Sequence, residues 1–405
     1  MSNLPLIGSR VLDLSSVVVG PYATQFLADY GASVTKIEPL SGDIIRTLGG
    51  ASKSGELSPK FMNINRGKKS LAIDLKHEAA KPVIEKLLAG HDIVVSNMRP
   101  KALAKLGLDY EAARAARADV IYCSIVGFGR GGRYADKPAY DNVIQGMGGI
   151  AACHARQDGE PKYLPMVLAD RLAGLAAVQA ILAAVIHRLQ TGGGQVIEIP
   201  MFENTAAFVL NEHIGQLIYP GSAGPSGDLR VLSKYARPVK TKDGYICISA
   251  NNDKQAVGLF EAIGKPELKN DPRFESVQAR YANIDAYNAI RNEAMLTRTT
   301  AEWMEALDRL DVPAMPYQTF EELMADPHLA DVGLFEEREH PDEGRVVTLR
   351  PAPRFSAGMT RSDTLAPRLG QDSADVLKSI GCSQETISRL TAAGAVLDRP
   401  LKKNG

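Results

Sequence analysis

Asp170 lies in the run Pro165-Met-Val-Leu-Ala-Asp170-Arg-Leu-Ala-Gly174, just ahead of an alanine-rich, proline-free stretch from Leu172 to Leu189. That composition is one of a long helix. A carboxylate in the first turn of a helix faces the positive end of the macrodipole and backbone N–H groups without partners. Two uses follow from such a position. The side chain can cap the helix, or it can act as a nucleophile whose acyl adducts sit beside ready-made oxyanion donors. The stretch closes with Arg188-Leu-Gln-Thr191-Gly-Gly-Gly194-Gln195, and an apolar strand pattern, VIEIPM, leads to Met201.

Other chemistry-bearing residues are sparse. Gly127-Phe-Gly129-Arg-Gly-Gly132 has dinucleotide-fingerprint spacing, but RYADKPAYD follows it in place of a helix pattern, so a loop beside the ligand is expected instead. Cys123, Cys153, Cys247 and Cys382 stand far apart and match no metal spacing. They read as reduced thiols, with neither a disulfide nor a metal centre expected. Lysine plus arginine equals aspartate plus glutamate at 47 each, which gives no global attraction to nucleic acid or to an anionic membrane. MSNLPLIGSRVLDL lacks a signal-peptide profile, and His187 and Arg188 interrupt the richest apolar stretch. A soluble, cytoplasmic protein is expected.

The elements that must position Asp170 come from strand–helix alternation. Apolar runs at RVLDLSSVVV, SVTKIE, DIVVSN and VIYCSIVG read as strands, separated by the helical patterns YATQFLADYG, AAKPVIEKLLAG and YEAARAAR. This predicts an α/β fold, a doubly wound, mostly parallel sheet with right-handed crossovers. With 405 residues the chain exceeds one ordinary core. After the helical stretch ENTAAFVLNEHIGQLI, the glycine- and proline-rich segment 219–227 marks a boundary. Residues 1–225 are expected to form the first part of a large domain, 226–325 a small α+β domain, and 326–405 the return to the large domain. The small domain opens with PVKTKDG and YICISA around a Lys242-Asp-Gly244 hairpin signal, and TISRLTAAGAV reads as a last helix.

A set of motifs in register resembles the class III coenzyme A transferases, the formyl-CoA and carnitine CoA-transferase type. They are Val11-Leu-Asp13-Leu-Ser-Ser16, Gly20-Pro21-Tyr-Ala-Thr24, Tyr30-Gly-Ala32-Ser-Val-Thr-Lys36-Ile-Glu38, Ser41-Gly-Asp43, Asn65-Arg-Gly-Lys-Lys69-Ser-Leu-Ala-Ile-Asp74-Leu-Lys76 and Ser96-Asn97-Met-Arg-Pro100. Tyr140-Asp141-Asn142, the Asp170 segment, Pro351-Ala-Pro353-Arg-Phe355-Ser356 and Pro367-Arg-Leu-Gly370 continue the series. The resemblance implies Asp170 as the nucleophile, forming a mixed anhydride with the acyl donor and then an aspartyl-CoA thioester. It implies Tyr140 and Asp141 as supporting groups. It also implies CoA contacts at Ser16, Val17, Val18, Val19, Ile73, Lys76, Asn97, Met98 and Lys105, with lysines as point charges for the phosphates. No permanent cofactor is implied; acyl-CoA and a free carboxylic acid are the partners. A discontinuous large domain and an interlocked homodimer belong to the same expectation.

Related α-methylacyl-CoA racemases carry a histidine where this chain has Tyr140. A phenol of reference pKa near ~10 is a poor base for an α-carbon proton, which favours transferase over racemase. A non-catalytic CoA-binding paralogue is a further alternative, opposed by the retained Asp170. Val18 and Pro39 depart from a glutamine and an arginine of formyl-CoA transferase, which speaks against formate and oxalate as substrates. For the acyl pocket the expected residues are Met201, Arg46 as partner of a distal carboxylate, and Asn251 and Asn252, offering amides in place of a glycine loop. The small-domain patterns resemble relatives acting on short dicarboxylic acids such as succinate, glutarate or malate.

Overall fold

The computed structural model describes residues 4–356 and 364–400. Short β-branched runs form β1 (Arg10–Asp13), β2 (Ser33–Glu38), β3 (Lys68–Ile73), β4 (Ile93–Ser96), β5 (Ile121–Val126) and β6 (Gln195–Pro200). All pair in parallel, in the order β3-β2-β1-β4-β5-β6. Successive side chains of a strand point to opposite faces, and both faces are buried. Val11, Ile93, Val95, Ile121 and Cys123 enter one core cluster, while Leu12, Val94 and Tyr122 enter the other. The chain builds outward from β1 to β3, then returns to β4 on the other side of β1. A crevice outside the strand ends at that reversal is where open α/β sheets bind ligands.

The helix Leu168–Thr191 packs its Ala169, Ala173, Ala177, Ile181 and Ala184 face into the first cluster. By length and composition it could cross a bilayer, but this face is occupied by protein. Its partner is the helix Val19–Asp29. A Cβ at Gly174 would come within 2.9 Å of the Val19 carbonyl oxygen, so glycine is what permits that approach. A Cβ at Gly20 would lie 2.1 Å from Ser15 Cβ, inside van der Waals contact, which fixes the turn between β1 and the helix.

The chain divides into two compact units. The larger comprises Met1–Gln145, Pro165–Thr205 and Ala330–Gly405; the smaller comprises Gly146–Leu164 and Ala206–Leu329. The division therefore falls earlier than the expected boundary at 225, because most of the helix Met201–His213 and the segment 146–164 go with the smaller unit. In the smaller unit, β7 (Val239–Lys240), β8 (Tyr245–Ile248) and β9 (Ala314–Pro316) make an antiparallel sheet. Val239, Ile246, Phe260, Phe274 and Trp303 form its core. In the larger unit, β10 (Phe335–His340) and β11 (Gly344–Leu349) form a hairpin. Finally β12 (Val396–Leu397) adds an antiparallel edge to the main sheet, Val396 opposite Ile73.

Candidate active site

The helix carrying Asp170 begins at Leu168, with Val167 at the N-cap position and no side-chain cap from that residue. Asp170 thus stands in the first turn without capping its own helix. The cap comes from Asp141, whose Oδ1 accepts the Asp170 backbone N–H at 3.2 Å. Asp141 is buried, and its Oδ2 accepts from Gln145 Nε2 at 2.6 Å. The same amide donates to the Met166 carbonyl at 2.8 Å, bracing the approach to the helix. Among the described residues the Asp170 carboxylate has no hydrogen-bond donor. Burial and, secondly, the Asp141 charge push its pKa up to about 6, against the opposing charges of Arg171 and Lys60. Arg171 holds its guanidinium 4.1 Å above the Tyr22 ring. Tyr140 is 76% exposed, and only its carbonyl is tied into the helix that follows.

The opening turn after β1 is rigid for identifiable reasons. Val17 adopts φ 66°, a left-handed conformation that costs a β-branched residue. Asp43 accepts its N–H with both oxygens, at 3.2 and 3.1 Å, and pairs with the buried Lys36 ammonium at 3.0 Å. Asn97 clamps Ser16 in both directions, accepting its N–H at 3.0 Å and donating to its carbonyl at 2.9 Å. Below, Asp13 accepts from Ser15, Thr24 and Lys68. Burial alone would raise the Asp13 pKa, but Lys68 and Lys36 hold it below the usual carboxylate value. Val18 is buried with Ile45, Leu57, Phe61 and Ala366, and Val17 and Val167 pack against that cluster. The turn and the head of the Asp170 helix therefore share one small core.

A cavity of about 580 Å³ opens at the carboxyl ends of β1 to β4. Of the residues expected to contact CoA, it brings together Ser16, Ile73, Lys76 and Met98 on its wall. Ile37, Pro39 and Leu75 add apolar surface, and the exposed Lys76 adds charge at the rim. Asn97 supports Ser16 from behind. Val17, Val18 and Val19 build the turn rather than the wall, and Lys105 is exposed on the helix Pro100–Leu106, whose Leu106 reaches the cavity.

The residues expected to line the acyl pocket lie in three different places. Arg46 is 3% exposed: Glu38 accepts two of its hydrogen bonds at 2.7 Å and the Pro367 carbonyl a third at 3.1 Å. Three of its five N–H groups are thus engaged inside the protein, in a buried ion pair with Glu38. Met201 is buried among the core residues beside Ile199, so it fills the interior and forms no wall of the cavity. Asn251 and Asn252 belong to the smaller unit, where Asn252 caps the helix Asp253–Ala262. Gln255 Oε1 accepts from both of their backbone N–H groups, at 3.1 and 3.3 Å. Sequence reasoning gave no role to Lys60, Arg171 or Gln145, because contacts between distant segments leave no local signal. Among the described residues, no group of His, Cys, Asp and Glu has the arrangement to hold a metal.

Residues 6–373 match the family model of CoA-transferase family III. The chain belongs to that family. Succinate–glutarate CoA-transferase of Agrobacterium fabrum is 34% identical over 95% of this chain and 97% of its own length. Human succinyl-CoA:glutarate CoA-transferase is 31% identical over 98% of this chain and 91% of its own. The crystal structure of a CaiB/BaiF family protein from Brucella suis superposes with TM-score 0.80 at 34% identity, covering 93% of this chain and all of that one. This class III CoA-transferase is thus an enzyme of CoA transfer between acids, with CoA thioesters as substrates.

Proposed function

We propose that Asp170 is the covalent carrier of CoA and that the acids exchanged are short dicarboxylic acids. The Asp170 carboxylate attacks the donor acyl carbon, the C–S bond breaks, and CoA leaves as thiolate, giving a mixed anhydride on Asp170. The thiolate then attacks the aspartyl carbonyl, the C–O bond breaks, and the first acid leaves. The acceptor carboxylate attacks the aspartyl-CoA thioester, the C–S bond breaks to give a second anhydride, and the released thiolate attacks the acceptor acyl carbon, breaking its C–O bond to Asp170 and freeing the carboxylate. Each step trades one activated acyl species for another of similar energy.

The observation that carries this reading is the Asp170 carboxylate itself. Among the described residues it has no hydrogen-bond donor; it sits at a helix head with its pKa pushed up to about 6, so it is ionised at neutral pH yet more basic than an ordinary aspartate. In the same unit the β1–β4 cavity suits the adenine end of CoA, with apolar walls and Lys76 for phosphate. The names of both relatives support dicarboxylic acids; neither supports the racemase alternative. Incubation with succinyl-CoA alone should add the mass of CoA to a fraction of the intact protein, and hydroxylamine should then abolish activity. Asp170→Ala should form no adduct and lose several orders of magnitude of turnover. An adduct retained in that variant would refute the assignment.

The homodimer is part of the same proposal. Ile186 and Leu189 stand exposed along the Asp170 helix, Leu189 at 81%, and β6 leaves an open sheet edge with Val196 outward. Exposed apolar side chains beside an unpaired edge are a surface that a second subunit would cover. Mass photometry at nanomolar concentration should show dimer and no active monomer.

A further inference from the structure

Gln145 follows Asp141 by four residues on the helix Asp141–Met147, which puts both side chains on one face of it. Gln145 is fully buried, and its amide nitrogen makes two contacts that converge on the Asp170 segment. It donates to Asp141 Oδ2 at 2.6 Å, while the other oxygen of Asp141 accepts the Asp170 N–H at 3.2 Å. It also donates to the Met166 carbonyl at 2.8 Å, and that carbonyl accepts the N–H of Leu168, the first residue of the Asp170 helix, at 2.9 Å. One amide therefore reaches both the cap of the helix and the turn from which the helix starts. Pro165 and Met166 are themselves exposed, so burial does little to hold that turn. The chain leaves the larger unit directly after Gln145 and re-enters it at Pro165, so the same side chain ties the exit to the return.

The Asp170 carboxylate has no hydrogen-bond donor among the described residues, so no contact of its own aims it. Its direction is inherited from the backbone, whose N–H is held by Asp141. Asp141 in turn is a buried carboxylate, and such a group deprived of a donor pays the full desolvation cost or swings to find another. Attack requires reacting atoms about 3–3.5 Å apart and aligned, and a displacement of ~1 Å can cost about a hundredfold in rate. We propose that Gln145 is a positioning residue of the transfer reaction: by holding the Asp141 carboxylate and the Met166 carbonyl together, it sets the direction from which Asp170 attacks the acyl carbon. Gln145 acts through Asp141, and the assignment rests on the reading of Asp170 as nucleophile above.

The test is the rate at which succinyl-CoA loads CoA onto Asp170 in a single turnover, followed by rapid quenching and mass spectrometry of the intact protein. Gln145→Met fills a similar space without an N–H donor and should slow loading by about tenfold to a hundredfold. The Kd for free CoA should stay at its wild-type value, because the residues lining the β1–β4 cavity come from other segments. In an Asp141→Ala background the same change should cost far less than it does alone, as expected of two residues acting in one chain of contacts. Peptide-level hydrogen exchange should quicken over 166–171 and keep wild-type protection over 175–190, further along the same helix. Wild-type loading in Gln145→Met, or losses that simply add to those of Asp141→Ala, would overturn the role of Gln145 and leave the nucleophile reading standing. Exchange quickened along the whole helix, or a parallel loss of CoA affinity, would do the same, since either marks a general loss of fold. A wild-type enzyme that loads no CoA onto Asp170 would overturn both.

Discussion

Asp43 accepts the Val17 N–H with both oxygens of its carboxylate and so holds a β-branched residue in a left-handed conformation. The pair joins two stretches of chain: the turn after β1 and the Ser41-Gly-Asp43 loop after β2. Since Val17 packs on the core shared with Val167, its conformation is coupled to the head of the Asp170 helix.

Asp43→Ala removes the clamp and leaves the buried Lys36 ammonium short of a partner. Breaking one side of a buried ion pair typically costs about 3 kcal/mol or more. Urea denaturation should report a loss of that order, with the KM for acyl-CoA raised because Ser16 and the cavity wall are no longer fixed. A variant as stable as wild type, with unchanged KM, would show that the turn holds its shape without Asp43.

Asp170→Asn should make the protein more stable while removing turnover. The folded-state pKa of Asp170 is raised to about 6 from 3.8, so the native state holds its proton more tightly than the unfolded chain does. Native stability therefore falls as pH rises between those values, and the full penalty is present above about pH 6, amounting to roughly 2–3 kcal/mol. The variant escapes it. Thermal melts at pH 7.5 should show a higher Tm for Asp170→Asn, and the difference should disappear towards pH 4. Equal melting temperatures across that range would contradict the raised pKa.

Asp141→Asn separates charge from capping. An asparagine oxygen still accepts the Asp170 N–H, while Gln145 turns its own carbonyl towards the new amide. With the neighbouring negative charge gone, the Asp170 pKa should fall from about 6, and the acid limb of the kcat/KM profile should move to lower pH. An acid limb left in place would mean that burial alone sets the value.

Much of the framework was legible because buried parallel strands are written as unbroken β-branched runs. β1, β2, β4 and β5 appear where VLD, SVTKIE, DIVVS and IYCSIV stand. The valines of SSVVV misled, since they read as more strand but build a strained turn and a helix start; their apolar character reflects the small core they enter. β3 was hidden for the opposite reason. It begins with two lysines, and Lys68 is buried only because Asp13, Asn65 and the Pro21 carbonyl receive its ammonium. The place of Asp170 in the first turn of a long helix was legible from the alanine-rich run that follows it. That Asp141, and no residue of the helix itself, supplies the cap is a contact between distant segments, as is the capture of Arg46 by Glu38. Local pattern carries no record of such choices.

The two residues of β12 have a consequence for how the molecule is assembled. Ile73, on the cavity wall, lies beside Val396, and the Asp74 N–H donates to the Ala395 carbonyl at 2.9 Å. During synthesis β3 therefore has a bare outer edge until a segment from beyond the whole smaller unit has been made and returned. Such long sequence separation between partners slows folding, and an unpaired strand edge invites neighbouring chains to pair with it. The cavity at the ends of β1 to β4, first to be encoded, is among the last parts to be closed, and the nascent chain is most exposed to self-association in that interval.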